Sequence, residues 1–151
     1  MPGSYSLIGS PSGNCKDEML FGQEHVKRYR ETNGAEGHEW RGATVLLLTT
    51  TGRRSRVQRT TPLIYGRHGD EYVVIASRGG ADDHPAWYLN LTDDPEVDVQ
   101  VLAERFPARA RTATGEERAA LWRLMAQQWP SYDDYQAKTR RELPVVVLER
   151  A

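Results

Sequence analysis

The sequence predicts an α+β fold: about six mostly antiparallel strands in a sheet or small barrel, flanked by three to five helices. Short runs rich in Val, Ile, Leu and Thr recur between turn residues, the pattern of strands rather than helices. The helical patterns do not alternate with those runs, and two fall together late in the chain, which argues against a doubly wound parallel sheet. A length of 151 residues, with no internal repeat and no boundary beyond the first 18, fits one domain with a real core.

Taken in order, residues 1–18 begin MPGSYSLIGSPSGN and read as a flexible tail, leaving 19–151 as the folded domain. EMLFGQEHVKRYRET (18–32) predicts a short helix, stopped by the asparagine and glycines of NGAEG. ATVLLLTT (43–50), RTTPLIYG (59–66) and EYVVIAS (71–77) predict three strands, the last two joined by RHGD with Gly69 at positive φ. Pro62 places the second of them at an edge or a bulge, because proline cannot donate to a central ladder. After the Gly79–Gly80 loop, Pro85 suits the first turn of a short helix, with Asp82 or Asp83 as its cap. VDVQVL (97–102) and ERFPARARTAT (104–114) alternate like a half-exposed hairpin. Thr114 with Glu117 has capping-box spacing for a helix that Pro130 stops. Ser131 with Asp134 repeats that spacing at the start of YDDYQAKTRREL, and PVVVLE (144–149) predicts a final strand.

A net charge of −1 excludes a generally basic nucleic-acid binder. The single cysteine, Cys15, excludes a disulfide framework and makes a cytoplasmic location the default. No run approaches the roughly 20 apolar residues of a spanning helix, and the N-terminus lacks the regions of a signal peptide. The four histidines are far apart and have no helical-spaced ligand partner, so no metal site is expected.

Positive charge is concentrated in one place. TTTGRRSRVQRTTPLIYG (49–66) carries Arg53, Arg54, Arg56 and Arg59, and no carboxylate occurs between Glu39 and Asp70. Guanidinium forks suit carboxylates and phosphates, so this connection reads either as a solvated basic turn or as the seat of a multiply charged anion. It lacks the spacing of a phosphate-binding P-loop. No aromatic residues are interleaved with the arginines, so nucleic acid is not the expected ligand.

Three separated blocks, LLLTTTGRRS…RTTPLIYG, YVVIASRGGADDHPAWYLNL and WPSYDDYQAKTRRELPVVVLER, together resemble the deazaflavin (coenzyme F420)-dependent nitroreductase family over roughly Phe21 to Arg150. The resemblance implies a split β-barrel, similar to FMN-binding barrels, and a cofactor with a flat ring, a phosphodiester and a poly-glutamate tail. By the same resemblance Arg53, Arg54 and Ser55 meet phosphate or tail, while Arg59, Thr60, Thr61, Pro62, Leu63 and Ile64 line the cofactor channel. Ile75, Ala76, Ser77 and Arg78 lie near ring and phosphate, and Ala86, Trp87, Tyr88, Leu89 and Asn90 form another wall. Tyr132 reaches over the ring, with Tyr135 one turn further along. Two departures stand out: Arg56 where the family commonly has glycine, and arginine at 54 and 78 where lysine is frequent.

The resemblance implies hydride transfer from reduced deazaflavin to a small-molecule acceptor: a quinone, an activated enone or a nitro-aromatic compound. Tyr132, Tyr135 and Ser77 are then the groups expected to polarise it. An FMN-dependent reductase on the same barrel and a non-catalytic deazaflavin carrier are the alternatives. A monomer or homodimer is expected, with no nucleic-acid partner. Attachment at the periphery of the inner membrane, known among relatives, would have only Met19, Leu20, Phe21, Val26 and Tyr29 of the first helix to rest on.

Overall fold

The computed structural model describes residues 22–151. The tail expected over 1–18, Cys15, and the apolar residues Met19, Leu20 and Phe21 lie outside the described residues.

Four helices and eight strands make up the described chain. Helix α1 (Gly22–Thr32) leads into β1 (Glu39–Trp40), β2 (Ala43–Thr51), β3 (Gln58–Ile64), β4 (Gly66–His68) and β5 (Glu71–Ile75). A tight turn at Arg78–Gly80 precedes α2 (Ala86–Asp93), β6 (Glu96–Val101), β7 (Glu104–Thr112), α3 (Gly115–Gln128), α4 (Ser131–Ala137) and β8 (Val145–Arg150). The strands form one curled sheet in the order β1-β2-β6-β7-β8-β5-β4, with β3 on the other side of β2. Every pairing is antiparallel. This is a split barrel: β3 and β5 approach each other without pairing, and the opening between them holds the functional cleft.

β2, β5 and β8 are covered on both faces and so read as nearly unbroken apolar runs, whereas β6 and β7 leave their outer face to solvent and alternate. On the concave face Leu46, Leu48, Tyr72, Val74, Phe106, Val146 and Leu148 share one core with Trp87 and Leu91 of α2. On the convex face Val73, Ile75, Val145 and Val147 pack against Leu121 and Met125 of α3 and Tyr132 of α4. Val45 and Leu47, the outward residues of β2, lie beneath Val26 and Tyr29 of α1. Two apolar residues of α1 expected to be available to a membrane are therefore core residues. No helix among the described residues is long and apolar enough to cross a membrane.

Several sequence expectations need correction. The strands number eight rather than six, because Glu39–Trp40 and Gly66–His68 are too short to show a period of their own. Thr114 occupies the N-cap of α3 but makes no side-chain capping bond; Glu117 instead pairs with Arg111 on β7, at 2.7 Å. The cap of α4 is Pro130 rather than Ser131, again without a side-chain bond, and the helix ends at Ala137 instead of running toward Leu143. Pro85 is itself the cap of α2, and Asp82 accepts a hydrogen bond from the Thr139 hydroxyl at 2.8 Å. Other expectations hold. Gly69 has φ 63 in the β4–β5 turn, and Pro62 lies on β3, which pairs with β2 alone.

Candidate functional site

At the opening of the barrel lies a cleft with two lobes, and Thr61 of β3 and Trp87 of α2 border both. One lobe is apolar and aromatic, with a volume of about 500 Å³; the other is basic, at about 520 Å³.

The basic lobe is built by the β2–β3 connection. Thr51 pairs with Gln58, so residues 52–57 must reverse the chain tightly. The Gly52 amide donates to the Val57 carbonyl and the Arg56 amide to that of Gly52, each at 2.9 Å; the Ser55 hydroxyl accepts from the Val57 amide at 3.1 Å. Asn90, buried in α2, pins the turn: its Oδ1 accepts from the Arg53 amide at 3.2 Å and from the Arg53 guanidinium at 3.3 Å. The four arginines then divide by role. Arg53 is engaged with Asn90, and Arg56 faces Asp93, the last residue of α2, and Asp94, its C-cap, at 3.8 Å each. Arg54 and Arg59 line the lobe and make no ion pair among the described residues. Beside them Arg30 of α1 donates to the Thr60 hydroxyl at 2.9 Å. Two exposed guanidinia without acids, next to backbone that is held rigidly, give an anion a strong local field.

The apolar lobe is walled by Thr61, Pro62, Leu63 and Ile64 of β3 on one side and by Ile75, Ser77, Arg78 and Gly79 on the other. Tyr132 and Tyr135 close it from α4, with ring centroids 6.0 Å apart and nearly perpendicular. Tyr132 is 4% exposed, and burial pushes its phenol well above the ordinary range, so it stays protonated. Its hydroxyl has no hydrogen-bond partner among the described residues, leaving a donor available to whatever enters. The Tyr135 hydroxyl instead accepts a long bond, 3.4 Å, from the Trp129 indole.

Three expected residues stand off the cleft. Ala76 points into the barrel core. Tyr88 bonds Thr112 at 2.9 Å and packs on His84. Leu89 borders neither lobe. Extended backbone that continues past β5 through Ala76 and helical spacing along α2 account for this, since a contiguous run cannot all face one side. Conversely, His25, Trp40, Val45 and Trp129 border the apolar lobe unannounced. Trp40 and Trp129 lie with centroids 5.5 Å apart, but a two-residue strand and a helix end offer no periodic signal. The His25 Nε2 donates to the Gly37 carbonyl at 2.8 Å, which fixes its tautomer. Gly79, Pro85, Gln23, Thr50 and Gly52 also line the cleft without having been expected.

Among the described residues no cluster of His, Cys, Asp or Glu is placed to hold a metal ion. An apolar slot opens onto a basic seat through Thr61 and Trp87, a donor set whose chemistry suits a ligand with a flat ring and an anionic tail. The sequence profile of the F420H(2)-dependent quinone reductases matches residues 21–150. A Mycobacterium tuberculosis protein named F420H(2)-dependent quinone reductase is 42% identical over 130 residues, spanning 83% of this chain and 87% of that protein. A solved F420-H2 dependent reductase superposes with a TM-score of 0.65 at 40% identity, covering 70% of this chain and 93% of its own. A second solved structure, described as a domain-swapped dimer, gives a TM-score of 0.69 at 37% identity and covers 84% and 96%.

Proposed function

The chain belongs to the F420H(2)-dependent quinone reductase family, and on that premise we propose how its residues divide the work of an F420-dependent oxidoreductase. The observation that carries the reading is the junction of the two lobes, because only a ligand with both a flat apolar ring and a multiply charged tail uses both. FMN has the ring, but its single phosphate would leave much of the arginine seat unanswered.

Arg54 and Arg59 bind the phosphodiester and the tail carboxylates as charge-assisted donors. Arg53 acts from the rim, its backbone position held by Asn90. Thr61, Pro62, Leu63 and Ile64 orient the ring by contact along one edge, and Ile75, Ser77 and Arg78 do so along the other. When bound, the reduced deazaflavin supplies a hydride, while the protein supplies orientation and electrostatics. Trp40, Trp129 and Ile64 exclude water from the far end of the apolar lobe. The Tyr132 hydroxyl holds a proton at the point where an acceptor oxygen gains negative charge, and Ser77 offers a second donor from the barrel side. Such donors accelerate the reaction only insofar as they bind the transition state more strongly than the ground state. A quinone, with two carbonyl oxygens on a flat ring, suits both the slot and the donors. Homodimer formation is consistent with the domain-swapped neighbour.

Anaerobic mixing of the protein with reduced F420 and a benzo- or naphthoquinone tests the reading. Reoxidation of the deazaflavin is expected with the quinone and not without it. A protein that binds F420 tightly yet turns over no acceptor would be a carrier instead.

A further inference from the structure

Ser77 has φ −85 and ψ −38. The next three residues, Arg78, Gly79 and Gly80, have φ of 48, 64 and 86. A right-handed residue followed by left-handed ones makes successive backbone amides converge into a concave nest suited to an anionic oxygen. The Gly80 amide closes the turn onto the Ser77 carbonyl at 2.9 Å, which leaves those of Ser77, Arg78 and Gly79 for a ligand. Left-handed backbone is unfavourable for arginine, so something must hold it. Gly80 has no room for a side chain: a Cβ there would stand 2.6 Å from the Tyr135 carbonyl oxygen.

From this we infer that Arg141 is a positioning residue, which holds the Ser77–Gly80 turn as an oxygen-binding cradle in the cleft wall. The inference rests on the cofactor assignment above. Arg141 lies past α4, and its guanidinium makes four hydrogen bonds to that turn and its flank. Nε donates to the Ala81 carbonyl at 2.7 Å, Nη2 to that of Ser77 at 2.8 Å, and Nη1 to that of Ala76 at 3.2 Å. Nη1 also reaches His84 Nδ1 at 2.9 Å, which requires the neutral imidazole with its proton on Nε2. Arg141 has no carboxylate within ion-pair distance among the described residues, so this cation is committed to backbone carbonyls. Gln136 fixes its chain position, donating to the Arg141 carbonyl at 2.8 Å and accepting from the Leu143 amide at 3.0 Å. Because Gly80 abuts Tyr135, the same clamp sets the separation between the turn and α4, which carries Tyr132. A lysine cannot replace it, since one ammonium cannot span acceptors from residue 76 to residue 84.

The test compares Arg141→Met and Arg141→Lys with the wild type. In the ligand-free protein, exchange of the Gly80 and Ala81 amides, which donate to the Ser77 and Arg78 carbonyls, is expected to quicken at least roughly tenfold in both variants. The His84 imidazole should titrate at a higher pH in Arg141→Met, because both burial and the neighbouring cation now depress it. Affinity for F420, read by fluorescence, should fall at least roughly tenfold in both, with partial recovery of Arg141→Met in millimolar methylguanidinium. Unchanged exchange at Gly80 and Ala81, or wild-type affinity in Arg141→Lys, overturns the inference. A wild type that binds no F420 overturns the cofactor assignment, while exchange and the His84 titration still decide the clamp. Should Arg141→Met fail to fold, Arg141→Lys carries both readouts.

Discussion

Arg56 stands at φ 61, in the left-handed region where glycine fits freely and a side chain costs about 1–2 kcal/mol. That is the physical reason for the glycine this family commonly places there. Its exposed pairings with Asp93 and Asp94, at 3.8 Å, offset about 1 kcal/mol at most. Arg56→Gly is therefore expected to leave stability unchanged or raise it by up to about 1 kcal/mol in urea unfolding. A clear loss would mean that the ion pairs outweigh the backbone strain. Tyr132 invites a functional substitution. Tyr132→Phe keeps the ring and removes the free donor, so kcat should fall roughly tenfold or more while F420 affinity barely moves. Turnover of quinones at the wild-type rate would make Tyr132 a packing residue. Two histidines set a pH dependence. Burial holds His38 and His84 below their ordinary value of 6.5, and Arg141 lowers His84 further. Below pH 6.5 the unfolded chain takes up protons that the folded chain resists, so their contribution to stability is complete above that pH and declines as pH falls through it. Melting temperature followed from pH 7.5 to 5 should drop, and His38→Gln should flatten part of the drop.

At the scale of elements, the strands were legible in the sequence because β2, β5 and β8 are covered on both faces and so carry dense apolar runs. The basic connection was legible because arginines without neighbouring acids are a local compositional fact. The caps were not. Capping spacing names donors that could serve a helix end, but Glu117 meets Arg111 across the fold at 2.7 Å and Asp82 meets Thr139. Trp40 on a two-residue strand and Trp129 at the end of α3 reach the cleft from separate elements, and no local window contains their meeting. One packing relation between elements is directly testable. Gly80→Ala would drive a Cβ to 2.6 Å from the Tyr135 carbonyl at φ 86, forcing α4 away from the turn. It should destabilise the protein by about 2 kcal/mol or more and lower quinone turnover by displacing Tyr132. Gly69→Ala has the same sign of φ and open space around it, so it should cost only the backbone strain.

Across the whole molecule, a split barrel leaves one gap between β3 and β5, and the chain uses its connections to give the gap two chemically different ends. The β2–β3 turn makes one end basic; Tyr132 and Tyr135 of α4, with Trp40 and Trp129, make the other aromatic. Neither end is evident from net charge, since a total of −1 conceals the local excess of arginine. The division predicts a characteristic salt response. Arg54→Ala and Arg59→Ala should each weaken F420 binding roughly tenfold at low ionic strength, with a smaller loss at high salt, where screening already blunts the wild-type contact. The apolar lobe, in contrast, should hold the ring with little dependence on salt. The most direct measurement is a fluorescence titration of the wild-type protein with F420 and with FMN, at low and at raised ionic strength. The two-lobed cleft predicts much tighter binding of F420, and a preference over FMN that narrows as salt rises. Equal or tighter binding of FMN, or a preference indifferent to salt, would contradict it.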